Sequence, residues 1–104
     1  MDDRLQICFQ GMPTSAALEA KIRDRYTQLE RRCPELTQCR VTVTKESRTH
    51  LKGNLFRVGL VLHRPGRDVV VSHVGPKDHG HEDVYVALRD TFTAAERQLA
   101  DVER

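Results

Sequence analysis

The sequence NLFRVGLVLHRPGRDVVVSHV at residues 54–74 decides the fold. Every second residue from Phe56 to Leu62 is a large apolar one, which is typical of a strand with one buried face. Pro65 presets the first corner of a turn and Gly66 tolerates a positive φ at the next, so the chain reverses direction there. Residues 68–74 are rich in β-branched valine, which favours a second strand. The stretch therefore predicts an antiparallel hairpin.

Two further strands and a helix are predicted on the N-terminal side of this hairpin. Apolar and polar residues alternate at 5–10 and again at 39–44, and each run predicts a strand. Between them lies an apolar stripe with helical spacing, formed by Leu18, Ile22, Tyr26, Leu29 and Cys33. Ser15 is placed to cap this helix, because its hydroxyl can accept from unpaired backbone N–H groups, and Pro34 ends the helix.

One more helix is predicted on the C-terminal side. Residues 75–81 contain glycine, proline and histidine and predict a loop. A second apolar stripe follows, formed by Val84, Leu88, Phe92, Ala95, Leu99 and Val102. The whole order is β-α-β-β-β-α, and it predicts one α+β domain over residues 1–104. We expect a two-layer sandwich, with a four-stranded mixed sheet and two helices on one face; its first two strands should be parallel, because a helix joins them.

Charge is distributed unevenly along the 104 residues, which carry a formal net charge of +2. Residues 34–77 hold eight basic and three acidic side chains, whereas residues 78–104 hold three basic and seven acidic ones. The basic middle favours a polyanionic partner. No apolar run approaches the roughly 18 residues of a membrane helix, and the acidic start is unlike a signal peptide, so we expect a cytoplasmic protein without a membrane partner.

Signatures of catalysis are absent from the sequence. It contains no P-loop, GxSxG, HExxH or dinucleotide-binding motif, and Ser72 and His73, as neighbours on a strand, point to opposite faces. We therefore expect no enzyme activity, no cofactor and no small-molecule substrate. The three cysteines, Cys8, Cys33 and Cys39, form no CxxC pair and are expected to be reduced, small, buried apolar residues.

Histidines near the predicted loop are the candidates for metal binding. His73, His79 and His81, with the carboxylates of Glu82 and Asp83, could ligate zinc, nickel or copper. The alternative is a polar loop whose following carboxylates lie at the positive end of a helix dipole. Because structural sites usually have four well-spaced ligands and no cysteine is near, we predict no metal site here. A metal- or pH-responsive interaction module built on residues 73–83 stays as an alternative function.

Four stretches of the chain resemble one protein family. They are residues 5–11 with Ser15 and the first helix, Lys52–Phe56, His63–Gly66, and His81–Leu88 continuing to Glu96–Leu99. With them the chain resembles the ribosome hibernation-promoting factor and ribosome-associated inhibitor family, also labelled sigma-factor modulation proteins, and specifically its short form. Gln28 departs from the pattern, because relatives often carry lysine or arginine there.

The resemblance implies both a fold and a function. The fold is similar to that of double-stranded-RNA-binding domains. The function is to bind the small ribosomal subunit and its ribosomal RNA in the tRNA and mRNA channel, without catalysis, and so to hold ribosomes inactive during stress or stationary phase. A general binder of double-stranded RNA is the second alternative.

Basic side chains are expected to make the phosphate contacts. Lys21, Arg25 and Arg32 share one flank of the first helix, beside its apolar stripe. The full set of expected contacts is Lys21, Arg25, Arg32, Arg48, Lys52, Arg64, Arg67, Arg89 and Arg97. Tyr85 lies beside the second apolar stripe and is expected to pack at the edge of the core; the alternative is that it stacks on RNA.

Overall fold

The computed structural model describes residues 4–47, 54–74 and 82–102. Its elements, in chain order, are β1 (Leu5–Gln10), α1 (Ala16–Arg32), β2 (Gln38–Ser47), β3 (Asn54–Arg64), β4 (Arg67–Val74) and α2 (Glu82–Val102). The predicted β-α-β-β-β-α order and the α+β class are therefore confirmed. Within these ranges, no helix is both long enough and apolar enough to cross a membrane.

The four strands form one mixed sheet in the order β1-β2-β3-β4. β1 and β2 are parallel, as expected for strands that α1 connects, and Ile7 pairs with Val41. β2, β3 and β4 are antiparallel, with Leu60 opposite both Val41 and Val71. Gly66 adopts a φ of 88° in the β3–β4 turn, as predicted for the hairpin.

The core lies between one face of the sheet and both helices. Alternate residues of each strand enter it, such as Val41, Val58 and Val69, and the apolar stripes of α1 and α2 cover them. Thr91 is fully buried there, and among the described residues it is the polar side chain that enters the core. Its hydroxyl lies 2.6 Å from the carbonyl oxygen of Ala87 and 3.3 Å from that of Val58, so it satisfies its hydrogen bonding beside the sheet.

Both ends of α1 are capped as its sequence predicts. The Ser15 hydroxyl accepts a hydrogen bond from the backbone N–H of Leu18 at 3.2 Å. At the other end, the N–H of Cys33 donates to the carbonyl of Leu29 at 3.0 Å, and Pro34 follows. Each end of α1 thus has a hydrogen bond that its own sequence supplies.

Two expectations need correction. Cys8 is exposed, not buried, because Leu5, Ile7 and Phe9 take the core side of β1 and alternation turns Cys8 to the open face. The second strand extends to Ser47 instead of ending at 44, because pairing with β3 continues as far as Asn54. The predicted loop at 75–81 lies outside the described residues.

The cysteines should therefore differ in reactivity. Cys33 and Cys39 are buried, and burial raises the pKa of Cys39 to about 12. At pH 8 only about 1 in 10,000 of the Cys39 thiols would be ionised, and the thiolate is the reactive form. We expect Ellman's reagent to label one thiol per folded chain rapidly and the other two only in denaturant. The Cys8→Ser variant should show no rapid labelling; rapid reaction of two or more thiols would contradict this assignment.

Gly11 and Gly59 should respond oppositely to alanine. Gly11 has a φ of 71°, and a Cβ there would collide with the backbone carbonyl oxygen of Lys45. We expect Gly11→Ala to lower the free energy of unfolding by about 2 kcal/mol or more. At Gly59 a Cβ would meet nothing within 4 Å, so Gly59→Ala should be neutral or stabilising by up to about 1 kcal/mol. Urea unfolding of both variants checks this, and equal destabilisation would count against it.

Candidate nucleic-acid interface

One flank of α1 faces α2 and carries much of the basic charge. The stripe of α1 that includes Ile22 and Leu29 faces the core. In a helix, the residues at positions i−1 and i+3 relative to a buried residue i lie together on one flank of such a stripe. Lys21, Arg25 and Arg32 occupy this flank together with Gln28. The predicted row of basic side chains is therefore present, and α2 runs alongside it.

A groove of about 520 Å³ separates the two helices at this flank. Its basic lining consists of Lys21 and Arg25 from α1 and Arg89 from α2. Within residues 4–47, 54–74 and 82–102, neither Lys21 nor Arg25 forms an ion pair, and the Arg89 Nε lies 3.3 Å from a carboxylate oxygen of Asp90. One carboxylate, that of Asp24, also lines the groove. Among the described residues that line the groove there are three cations and one carboxylate, a balance that attracts an anion.

Arg32 lies on the same flank but at the other end of the helix pair. Its Nη1 lies 3.4 Å from the Glu96 Oε2, and its side chain is 72% exposed. Both residues border a smaller cavity of about 110 Å³. Arg32 thus ties α1 to α2 and has part of its charge offset, whereas Lys21 and Arg25 have no such partner within the described ranges.

Arg64 is largely enclosed, unlike the other expected phosphate contacts on the strands that the structure describes. Its side chain is 12% exposed, and its Nη2 donates to the Glu35 Oε2 at 2.8 Å. Its Nε and Nη1 are buried and have no hydrogen-bond partner among the residues that the structure describes. Its pair with Glu35 joins the end of β3 to the connection between α1 and β2. This geometry favours a role in stabilising the fold over a role in binding phosphate.

The remaining expected contacts are dispersed. Arg67 is exposed at the β3–β4 turn, and Arg97 is exposed on α2, eight residues beyond Arg89 and outside the groove lining. Arg48 and Lys52 lie outside the described residues. The structure thus gathers Lys21, Arg25 and Arg89 and leaves the others separate.

The histidine cluster can be described only in part. His73 is half-buried on β4, whereas His79 and His81 lie outside the described residues. His63, on β3, has its Nδ1 2.9 Å from a carboxylate oxygen of Asp68. In the part of the chain that the structure describes, no group of three or more His, Cys, Asp or Glu side chains could hold a metal ion.

Tyr85 is more exposed than its sequence context suggested. The expected position was the edge of the core, yet 38% of this residue is exposed and it lines the groove with Lys21 and Arg25. It also borders a second cavity of about 440 Å³ near the start of α1. The signal for this placement is its four-residue spacing from Arg89, which puts both side chains on one face of α2.

Comparison with known proteins assigns the chain to a family. The profile of the sigma 54 modulation protein / S30EA ribosomal protein family matches residues 5–104. The chain belongs to this family. The family resemblance read from the sequence is thereby confirmed. No curated protein matches the chain at the level of sequence.

Solved structures share the fold of this family member. A ribosomal subunit interface protein from Coxiella burnetii superposes with a TM-score of 0.74 at 16% identity, covering 95% of this chain and 96% of that one. The N-terminal domain of Protein Y from Thermus thermophilus gives a TM-score of 0.63 at 15% identity, covering 89% of this chain and 90% of that one. At such low sequence identity, the structural similarity establishes only that these proteins share a fold.

Loss of the Glu35 carboxylate should destabilise the protein. Glu35→Gln would leave the enclosed guanidinium of Arg64 without its counter-charge, so we expect the free energy of unfolding to fall by about 1–3 kcal/mol. The matched control is Asp90→Asn, because Asp90 and Arg89 are both well exposed and such pairs contribute less than about 0.5 kcal/mol. Urea unfolding at pH 7 gives both values, and a Glu35→Gln variant as stable as the control would refute this role.

Proposed function

We propose that this protein is a non-enzymatic, ribosome-associated inhibitor of translation. It binds the RNA of the small ribosomal subunit in the channel that tRNA and mRNA otherwise occupy, in the cytoplasm, during stress or stationary phase. The observation that carries the proposal is the basic groove between α1 and α2 in a chain of the S30EA family. The Coxiella burnetii protein, described as a ribosomal subunit interface protein, supports the ribosome as partner.

The chemistry of the groove favours binding over catalysis. Its ionisable lining residues are Lys21, Asp24, Arg25, Tyr85 and Arg89. Arginine stays protonated in proteins, and the described residues that line the groove include no serine, cysteine or histidine that could act as a nucleophile with its base. Lysine and arginine side chains without carboxylate partners are suited to neutralising phosphates.

RNA phosphates fit the groove better than a small anion does. On one wall of the groove, the Cα atoms of Lys21 and Arg25 are about 6 Å apart along α1 at 1.5 Å per residue. Arg89 adds a third cation from the opposite wall. An extended polyanion can contact both walls at once, and counterions released from its phosphates then favour binding.

Removing the groove cations should weaken ribosome binding. The variant Lys21→Gln, Arg25→Gln, Arg89→Gln loses three positive charges that face the groove, none of them in the core. We expect this variant to fold and to co-sediment poorly with small subunits. In a plot of the logarithm of the binding constant against the logarithm of the salt concentration, its slope should be shallower by about 0.7–0.9 per lost phosphate contact. Sedimentation at a series of salt concentrations measures this.

A control variant that loses the same number of positive charges separates the effect of the groove from the effect of the overall charge. Arg23→Gln, Arg31→Gln, Arg40→Gln removes three exposed cations that do not line the groove. It should co-sediment like the unmodified protein. Equal loss in both variants, or release of the protein from subunits by an equimolar RNA duplex, would overturn the proposal in favour of general RNA binding.

A further inference from the structure

A second cavity adjoins the basic groove and differs from it in character. It holds about 440 Å³ between the start of α1, the paired ends of β2 and β3, and the start of α2. Its walls are mainly apolar and include Met12, Leu18, Phe56 and Val84. Tyr85 borders both the cavity and the groove. A ligand could therefore extend from one to the other across this side chain.

Lys45 supplies the cavity with a positive charge. Its Nζ lies 6.0 Å from the centroid of the Phe56 ring, a distance at which a cation is attracted to an aromatic face. The side chain is half-buried and lines the cavity. The cation thus lies beside the apolar walls.

Resting on the proposed function, we propose that this cavity takes an unpaired base of the bound RNA. The base stacks on Tyr85, and the phosphates on its flank lie on Lys45 and on the groove cations Lys21, Arg25 and Arg89. The preferred partner of the site is therefore an RNA strand with an unpaired nucleotide, not a continuous duplex.

Two physical arguments select this occupant. An aromatic side chain beside cations matches a nucleotide, which combines a flat ring with an anionic phosphate. A duplex keeps its bases stacked inside and would leave the apolar walls and Tyr85 without a partner. A purely apolar segment of a protein would fill the walls but leave Lys45 without a counter-charge.

The intrinsic tyrosine fluorescence of the protein can report whether a base stacks on Tyr85. It has two tyrosines and no tryptophan, and Tyr26 is 3% exposed, whereas Tyr85 is 38% exposed. A base stacked on Tyr85 should quench its fluorescence. We would titrate the protein with single-stranded hexaadenylate and with an RNA duplex of equal phosphate number. Quenching by the single strand alone is expected; equal or no quenching by both would overturn the proposal.

Variants at Tyr85 test the stacking itself. Tyr85→Phe keeps the ring and should bind hexaadenylate, measured by anisotropy of a labelled strand, within about 2-fold of the unmodified protein. Tyr85→Ala should bind it about 5- to 150-fold more weakly, the range for loss of one stacked base, with little change for the duplex. Val70→Ala, on the open sheet face, is the exposed apolar control and should change neither affinity. Urea unfolding confirms that each variant folds.

Ribosome co-sedimentation keeps this proposal distinct from the proposed function. If Tyr85→Ala binds small subunits and hexaadenylate as tightly as Tyr85→Phe does, while the groove variant loses subunit binding, the base site is wrong and the proposed function stands. If the groove variant also binds subunits normally, the groove does not carry ribosome binding, and the base site, which depends on the groove cations, is wrong as well. Weaker subunit binding by Tyr85→Ala together with weaker hexaadenylate binding supports the base site.

Discussion

The parallel pairing of β1 with β2 is the constraint on which the interface depends. Parallel neighbours cannot be joined by a tight turn, so the chain must cross one face of the sheet, and α1 makes that crossing. α2 then packs against β3 and β4 on the same apolar face. Two helices laid side by side on one face leave a groove between them, and the side chains beside their buried stripes line it.

Several basic side chains outside the groove have carboxylate partners that offset their charge. Arg64 is held by Glu35, Arg4 by Glu30, and Arg32 approaches Glu96. Lys21 and Arg25 have no such carboxylate within the described residues. A net charge of only +2 therefore understates how well one part of the surface can attract a polyanion.

Local patterns predicted the fold well, and they predicted the site less well. Strand alternation and the helical stripes specify which side chains are buried, so element order, sheet pairing around Gly66 and the Ser15 cap were all correct. The partner of Arg64 depends on how the α1–β2 connection folds beside the hairpin, which residue spacing does not encode. The exposure of Tyr85 depends likewise on the separation of two helices. Arg48, Lys52, His79 and His81 fall outside the described residues, and their roles stay predictions.

Charge alone gives the groove little specificity. Asp24 lines it beside three cations, and Gln28 is neutral, so few phosphates can be neutralised there. Each phosphate contact contributes a sequence-independent attraction that weakens as salt rises. Discrimination among RNAs must then come from shape and from groups that read an exposed base. Tyr85 lies between the basic groove and an apolar cavity. At this position, phosphate contacts from the groove and a stacking contact to the base can act on the same nucleotide.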